Sequence, residues 1–122
     1  MSKQILVVED NPDNMKLVTW ILEDEGYDVT PAFTGEECLE LASKNDFDLV
    51  LMDISLPGMD GKQATEHLRQ TPVYKNKPII ALTAHAIKGE DEEILKSGVN
   101  ELITKPLDEE HLIARLQQFL GE

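Results

Sequence analysis

Short apolar runs alternate along the chain with longer stretches in which apolar positions recur every three or four residues. The first run, Gln4-Ile5-Leu6-Val7-Val8-Glu9-Asp10, is rich in Ile and Val and ends in two acids. Its length and β-branching predict a strand. Asn11-Pro12 then reads as a helix start, since Asn caps and Pro suits the first turn. Met15, Val18, Ile21 and Leu22 follow at helical spacing, and Gly26 closes the helix. A second strand covers Tyr27 to Ala32, with Pro31 pointing to a sheet edge. Thr34-Gly35-Glu36-Glu37 has the form of a capping box. It opens a helix carrying Cys38, Leu39, Leu41 and Ala42, which fades at Asn45.

The next run, Asp48-Leu49-Val50-Leu51-Met52-Asp53, reads as a strand buried on both faces that delivers one carboxylate to its carboxyl end. Leu56-Pro57-Gly58 forces a turn, and Asp60-Gly61-Lys62-Gln63 opens a third helix through Ala64, His67 and Leu68. Thr71-Pro72 ends it. Lys77 to Thr83 is a fourth buried-type strand. The fourth helix, from about Ile87 to Ser97, is the weakest, with Ile87, Ile94 and Leu95 as its apolar anchors and Gly98 after it. Asn100 to Lys105 is a fifth strand, and Pro106 follows. Asp108 caps a last helix with the stripe Leu112, Ile113, Leu116, Phe119 and Leu120.

Strand then helix, repeated with short connections, is the α/β class with a parallel sheet between helices. Right-handed crossovers are expected. With five strands the common doubly wound order is 2-1-3-4-5, and the switch point falls between strands one and three. No internal repeat, linker or low-complexity tract interrupts the pattern, so residues 1–122 read as one domain with no output domain attached.

Composition narrows the function. The formal net charge is −13, from 24 acids against 11 bases. Such a surface repels nucleic acid and anionic membranes. The acid runs Glu90 to Glu93 and Asp108 to Glu110 read as solvated helix faces. No apolar run approaches the ~20 residues that cross a bilayer, and Met1 to Gln4 lead straight into a strand, unlike a signal peptide. The lone Cys38, among apolar neighbours, reads as a buried thiol in a reducing, cytoplasmic setting.

Under the 2-1-3-4-5 order, Glu9 and Asp10 end strand one beside Asp53 at the end of strand three. Ligands in open α/β sheets sit at the carboxyl ends of strands. Three carboxylates sharing a crevice at ~5 Å repel by about 1–3 kcal/mol per pair. Either their pKa values rise or a cation sits between them. Oxygen donors without His or Cys suit a hard ion such as Mg2+, and a backbone carbonyl after Asp53 is a candidate further ligand. Thr83 ends strand four and Lys105 ends strand five, so a hydroxyl and an ammonium face the same rim. An aspartate can attack phosphorus to give an acyl phosphate. A divalent ion screens the approach of the two anions, and Thr83 and Lys105 are donors for the phosphoryl oxygens. Drawing Thr83 inward would pull on Ala84-His85-Ala86 and the weakly anchored fourth helix.

The pieces Glu9-Asp10-Asn11, the Asp53 strand with Leu56-Pro57-Gly58-Met59-Asp60-Gly61, Thr83-Ala84 and Lys105-Pro106 together give the chain its resemblance, over its full length, to the receiver domain of a two-component response regulator. It is most similar to stand-alone receivers of the chemotaxis and cell-division-regulator kind and to receivers appended to hybrid histidine kinases. The resemblance implies that Asp53 is the phosphoacceptor from a phosphohistidine on a histidine kinase or histidine phosphotransfer protein. It implies that Asp10 and Asp53 bind Mg2+ (or Mn2+) directly, Glu9 binds it through water, and Ser55 contributes its backbone carbonyl. It implies that Thr83 and Lys105 bind the phosphoryl oxygens and that the Lys105-Pro106 bond is cis. The partner surfaces implied are the first helix near Asn11 to Thr19, and the face of helix four, strand five and helix five for a downstream target.

One position departs from the family pattern. Tyr or Phe usually stands three residues before the lysine, and here that residue is Leu102. A muted or differently routed switch is expected. Three other readings compete. A metal-dependent phosphohydrolase commonly needs a second Asp two residues after the nucleophile, where this chain has Ser55. An FMN carrier on the same fold needs a phosphate-cradling loop after strand one, where Glu9 and Asp10 would repel phosphate. A receiver fold that never takes phosphate would serve as a scaffold.

Overall fold

The computed structural model describes residues 2–84 and 90–121, Glu90 by its backbone alone. A parallel sheet is built from β1 (Gln4–Val8), β2 (Asp28–Ala32), β3 (Leu49–Asp53), β4 (Ile79–Thr83) and β5 (Glu101–Thr104). The strand order is β2-β1-β3-β4-β5, as the doubly wound pattern predicts. Between the strands run α1 (Pro12–Asp24), α2 (Gly35–Lys44), α3 (Gly61–Gln70), α4 (Glu90–Lys96) and α5 (Glu109–Leu120). A short 3-10 turn, Pro72–Tyr74, that the sequence pattern did not reveal follows α3.

Side-chain alternation along the strands divides the core into two halves. Ile5, Val7, Leu49, Leu51, Ile80 and Leu82 pack with α1 and α5. Leu6, Val8, Val50, Met52, Ile79 and Ala81 pack with α2, α3 and Ile94 of α4. β3 and β4 are buried at every residue, which is why their sequences run apolar without a break. Cys38 is fully buried, and burial pushes its thiol up to about 12.

The helix starts follow capping chemistry. The Asn11 side chain accepts from the amides of Asp13 and Asn14 at 2.9 and 3.1 Å, with Pro12 in the first turn. Asp60 and Gln63 form a complete capping box, and Asp108 caps α5. At α2 the reciprocal half differs from the expected motif. Thr34 accepts from the Glu37 amide at 3.0 Å, but the Glu37 carboxylate reaches back one residue further, to the Phe33 amide at 2.7 Å.

α4 departs most from its sequence pattern. Its described part starts at Glu90, and Ile87, expected as an anchor, lies outside the described residues, as do His85 and Ala86. Ile94 is fully buried, whereas Leu95, also expected as an anchor, is 46% exposed. Adjacent residues on a helix point about 100° apart, so only one of the pair faces the sheet. Of the acid run Glu90 to Glu93, Glu92 and Glu93 are exposed, Asp91 is half-buried and the Glu90 side chain lies outside the described residues; Asp108 to Glu110 are exposed, as a solvated face.

Candidate functional site

The carboxyl ends of β1, β3, β4 and β5 form one rim, because parallel strands in register end together. Asp53 pairs with Leu82, and the Ile54 amide donates to the Leu82 carbonyl at 3.0 Å. The alternation that sorts the core also sorts the site. Glu9 continues the row of Ile5 and Val7, Asp53 that of Leu49 and Leu51, and Lys105 that of Ile103, all on the α1/α5 side. The three side chains therefore converge. Lys105 Nζ lies 2.9 Å from Glu9 Oε1 and 3.5 Å from Asp53 Oδ2.

Asp10, one residue on, is exposed at the mouth. One carboxylate oxygen each from Glu9, Asp10 and Asp53 lie within 4.8 Å of one another. Asp53 is 3% exposed, and its Oδ1 accepts from the Ser55 amide at 3.1 Å. Ser55 itself is an exposed loop residue. Thr83 is 4% exposed at the end of β4, and its carbonyl accepts from the Lys105 amide at 2.7 Å. Alternation sets Thr83 in the row of Ile79 and Ala81, toward the side of α4. The Lys105-Pro106 bond is cis. A groove of about 400 Å³ beside this rim is lined by Glu9, Leu17, Val18, Lys105, Pro106 and Leu107 among others. A larger groove, about 590 Å³, runs along α3 by Met59 and His67 and includes none of the rim acids.

The sequence pattern brought Glu9 to this rim but did not show how deeply it sits. Glu9 is fully buried, and it, rather than Asp53, holds Lys105 most closely. The alternation with Ile5 and Val7 is the signal that assigns it inward. Burial raises the Glu9 carboxyl from 4.5 to about 7. A hydrogen bond to Asp53 and that residue's charge push the same way, and Lys105 opposes them. On Lys105 burial works against the charged form, but Glu9 and Asp53 raise its pKa overall.

Among the described residues the donor set fits a hard divalent cation: carboxylate oxygens, close together, with the Lys105 ammonium set against three acids. An ion at their centre removes the repulsion that the lysine offsets only in part.

Fold and rim together define a class of doubly wound α/β domains with an acidic, lysine-flanked crevice at the switch point. Within it the chain belongs to the response regulator receiver domain family, which matches residues 5–117. It is 38% identical over 122 residues to the polar-differentiation response regulator DivK of Brucella ovis, covering 100% of this chain and 99% of that protein. It is 41% identical over 121 residues to the sensor protein GacS of Pseudomonas syringae pv. syringae, covering 97% of this chain but only 13% of that kinase. The receiver domain of the sensor histidine kinase PA1611 from Pseudomonas aeruginosa PAO1 superimposes with a TM-score of 0.94 at 37% identity, covering 100% of both chains. That structure holds a magnesium ion coordinated in its active site cleft. The chain is thus a receiver domain of the two-component type, homologous both to single-domain regulators and to kinase receivers.

Proposed function

We propose that the chain is a single-domain response regulator spanning residues 1–122, in which Asp53 accepts a phosphoryl group from a phosphohistidine. The donor is a histidine kinase or a histidine phosphotransfer protein. The observation that carries this reading is the buried Asp53, grouped with Glu9 and Asp10 within 4.8 Å and with Lys105 at 3.5 Å.

The Asp53 carboxylate attacks phosphorus, the bond from phosphorus to the imidazole nitrogen breaks, and the electron pair leaves with the imidazole. Glu9, Asp10 and Asp53, with the Ser55 backbone carbonyl, would hold Mg2+ (or Mn2+). When bound, the ion neutralises charge between the phosphoryl oxygens and the carboxylates. Lys105 turns its ammonium from Asp53 to a phosphoryl oxygen, keeping Glu9 as its second partner. The Thr83 hydroxyl donates to another phosphoryl oxygen. The resulting acyl phosphate adds charge at the Asp53 loop, and its effect is altered protein–protein binding, not turnover of a substrate. Ser55, where a phosphohydrolase would place an acid, supports that distinction.

The donor docks over α1, where Leu17 is 48% exposed beside the 400 Å³ groove. The downstream target uses α4, β5 and α5, where Leu95 is exposed and Leu102 and Phe119 are half-buried. The net charge of −13 favours protein partners over nucleic acid or anionic membrane. Among the described residues no helix is long and apolar enough to cross a membrane, and a cytoplasmic setting suits the free, buried Cys38. The identity to GacS supports a second reading, a receiver within a hybrid histidine kinase, with the same chemistry at Asp53.

Intact mass after incubation with acetyl phosphate and Mg2+, beside an Asp53→Ala control, tests the reading. One phosphoryl group on the wild type and none on the control is expected. No gain, or an equal gain on both, overturns it.

A further inference from the structure

The loop from Ile54 to Asp60 carries Asp53 into α3, and two helix N-termini close on it with no atom to spare. α3 begins at Gly61, whose amide donates to the Ile54 carbonyl at 3.2 Å. A Cβ on Gly61 would lie 2.3 Å from the Asp53 carbonyl oxygen and 2.8 Å from the Ile54 Cα. α2 begins at Gly35, where a Cβ would lie 2.8 Å from the Met59 carbonyl oxygen and 3.1 Å from the Met59 Cβ. Favourable separations between such atoms are about 3.5–4.0 Å. The first obstacle in each case is main chain, which cannot swing aside as a side chain can. By contrast, a Cβ on Gly26 would meet nothing within 4 Å.

Neither Gly35 nor Gly61 has a positive φ. Left-handed backbone is therefore not the reason for glycine, and alanine would be the better helix former at both. Close approach is the reason that remains. The loop is also held from inside the fold: Ile54 and Leu56 are 6% and 5% exposed and belong to the core on the α2 and α3 side. The peptide that Gly61 touches is the one joining Asp53 to Ile54. The next residue's amide, that of Ser55, holds Asp53 Oδ1 at 3.1 Å. Displacing that peptide displaces the chain that carries the Ser55 amide, and with it the hydrogen bond that holds Asp53 Oδ1.

We infer that Gly35 and Gly61 are positioning residues for the phosphoacceptor. Their missing Cβ atoms let α2 and α3 grip the Ile54–Asp60 loop from two sides and fix the direction of the Asp53 carboxylate. The inference rests on the proposed role of Asp53. The grip on the loop can also be read without any phosphoryl transfer.

The test compares the full chain with Gly61→Ala and Gly35→Ala. Three quantities are read: Mg2+ affinity by calorimetry, the rate of phosphorylation by acetyl phosphate at saturating Mg2+, and exchange of the Ser55 amide in the metal-free protein. Circular dichroism establishes that each variant is folded. In folded Gly61→Ala the Mg2+ Kd rises and Ser55 exchange quickens by about tenfold or more, as for a lost orienting partner of a ligand. Gly35→Ala shifts both in the same direction, and adding Met59→Gly, which clears the side-chain part of the obstruction, restores part of the loss. Folded variants that keep Mg2+ affinity, rate and Ser55 exchange within about twofold of wild type, where ligand-orienting residues cost ten- to a hundredfold, overturn the inference. If Gly61→Ala does not fold, Gly35→Ala decides by the same criteria. If the wild type takes no phosphoryl group while the variants still loosen Ser55, the role of Asp53 fails and the grip on its loop stands.

Discussion

Replacing Glu9 by glutamine in the metal-free protein should remove a pH dependence that one side chain creates. Glu9 is fully buried, with Asp53 and Lys105 against it. Its carboxyl is raised from 4.5 to about 7, burial being the largest cause. An acid whose folded pKa is raised binds its proton more tightly in the folded state. Its contribution to stability is full below pH 4.5 and is lost as pH rises through about 7. At ~1.4 kcal/mol per tenfold the span sets an upper bound near ~3 kcal/mol. Lys105, with its pKa raised above 10.5, stays charged across this window and adds no slope. Urea unfolding of wild type and Glu9→Gln, in chelator, from pH 5 to 8, isolates the effect as a difference from which the acids outside the rim cancel. The variant should gain about 2–3 kcal/mol relative to wild type across that range. Mg2+ should shrink the gap at pH 8 by stabilising the wild type through binding. A difference that stays level with pH, or grows toward acid, refutes the electrostatic account of the rim.

Arg69 offers a structural counterpart away from the chemistry. Its guanidinium donates to the carbonyls of Gly98, Tyr74 and Lys77 and to the Asn100 side chain, and Asn100 in turn holds the Ile79 amide. Arg69→Met should cost about 2–4 kcal/mol in urea unfolding, with phosphorylation by acetyl phosphate unchanged in the folded protein. Leu102 gives a prediction about the read-out. It is half-buried against the α2 and α3 side core and offers no ring to follow Thr83. Backbone amide shifts on adding an acyl-phosphate mimic should be large in the Asp53 loop and small along α4 and β5. Equal shifts through those two elements would show that Leu102 relays the signal as an aromatic residue would.

The sheet was legible because its signals are local. Unbroken apolar runs at β3 and β4, Pro31 at an edge, and caps at Asn11, Asp60 and Asp108 each report a constraint that acts within a few residues. The meeting of Glu9, Asp10, Asp53 and Lys105 followed from strand order, since parallel strands carry their end residues to one rim. What the sequence left open depends on tertiary placement. Nothing local tells that Glu9 sits deeper than Asp10 until alternation is carried past the last apolar residue. Nothing in the α3 sequence shows that Arg69 reaches Gly98 and Asn100, in the turn before β5. Ile94 and Leu95 look equivalent, and only packing chooses between them. The closeness of Gly61 to Asp53 is likewise a distance between main-chain atoms, on which side-chain pattern is silent.

The central claim is that Asp53, and no other group, takes the phosphoryl. The wild type, phosphorylated with acetyl phosphate and Mg2+, is treated with borohydride, which reduces an acyl phosphate to the alcohol, and the modified residue is mapped by peptide mass spectrometry. Homoserine is expected at position 53 alone, and none when Mg2+ is withheld. Reduction at another acid, or at no residue of a chain that has demonstrably gained a phosphoryl group, would contradict it.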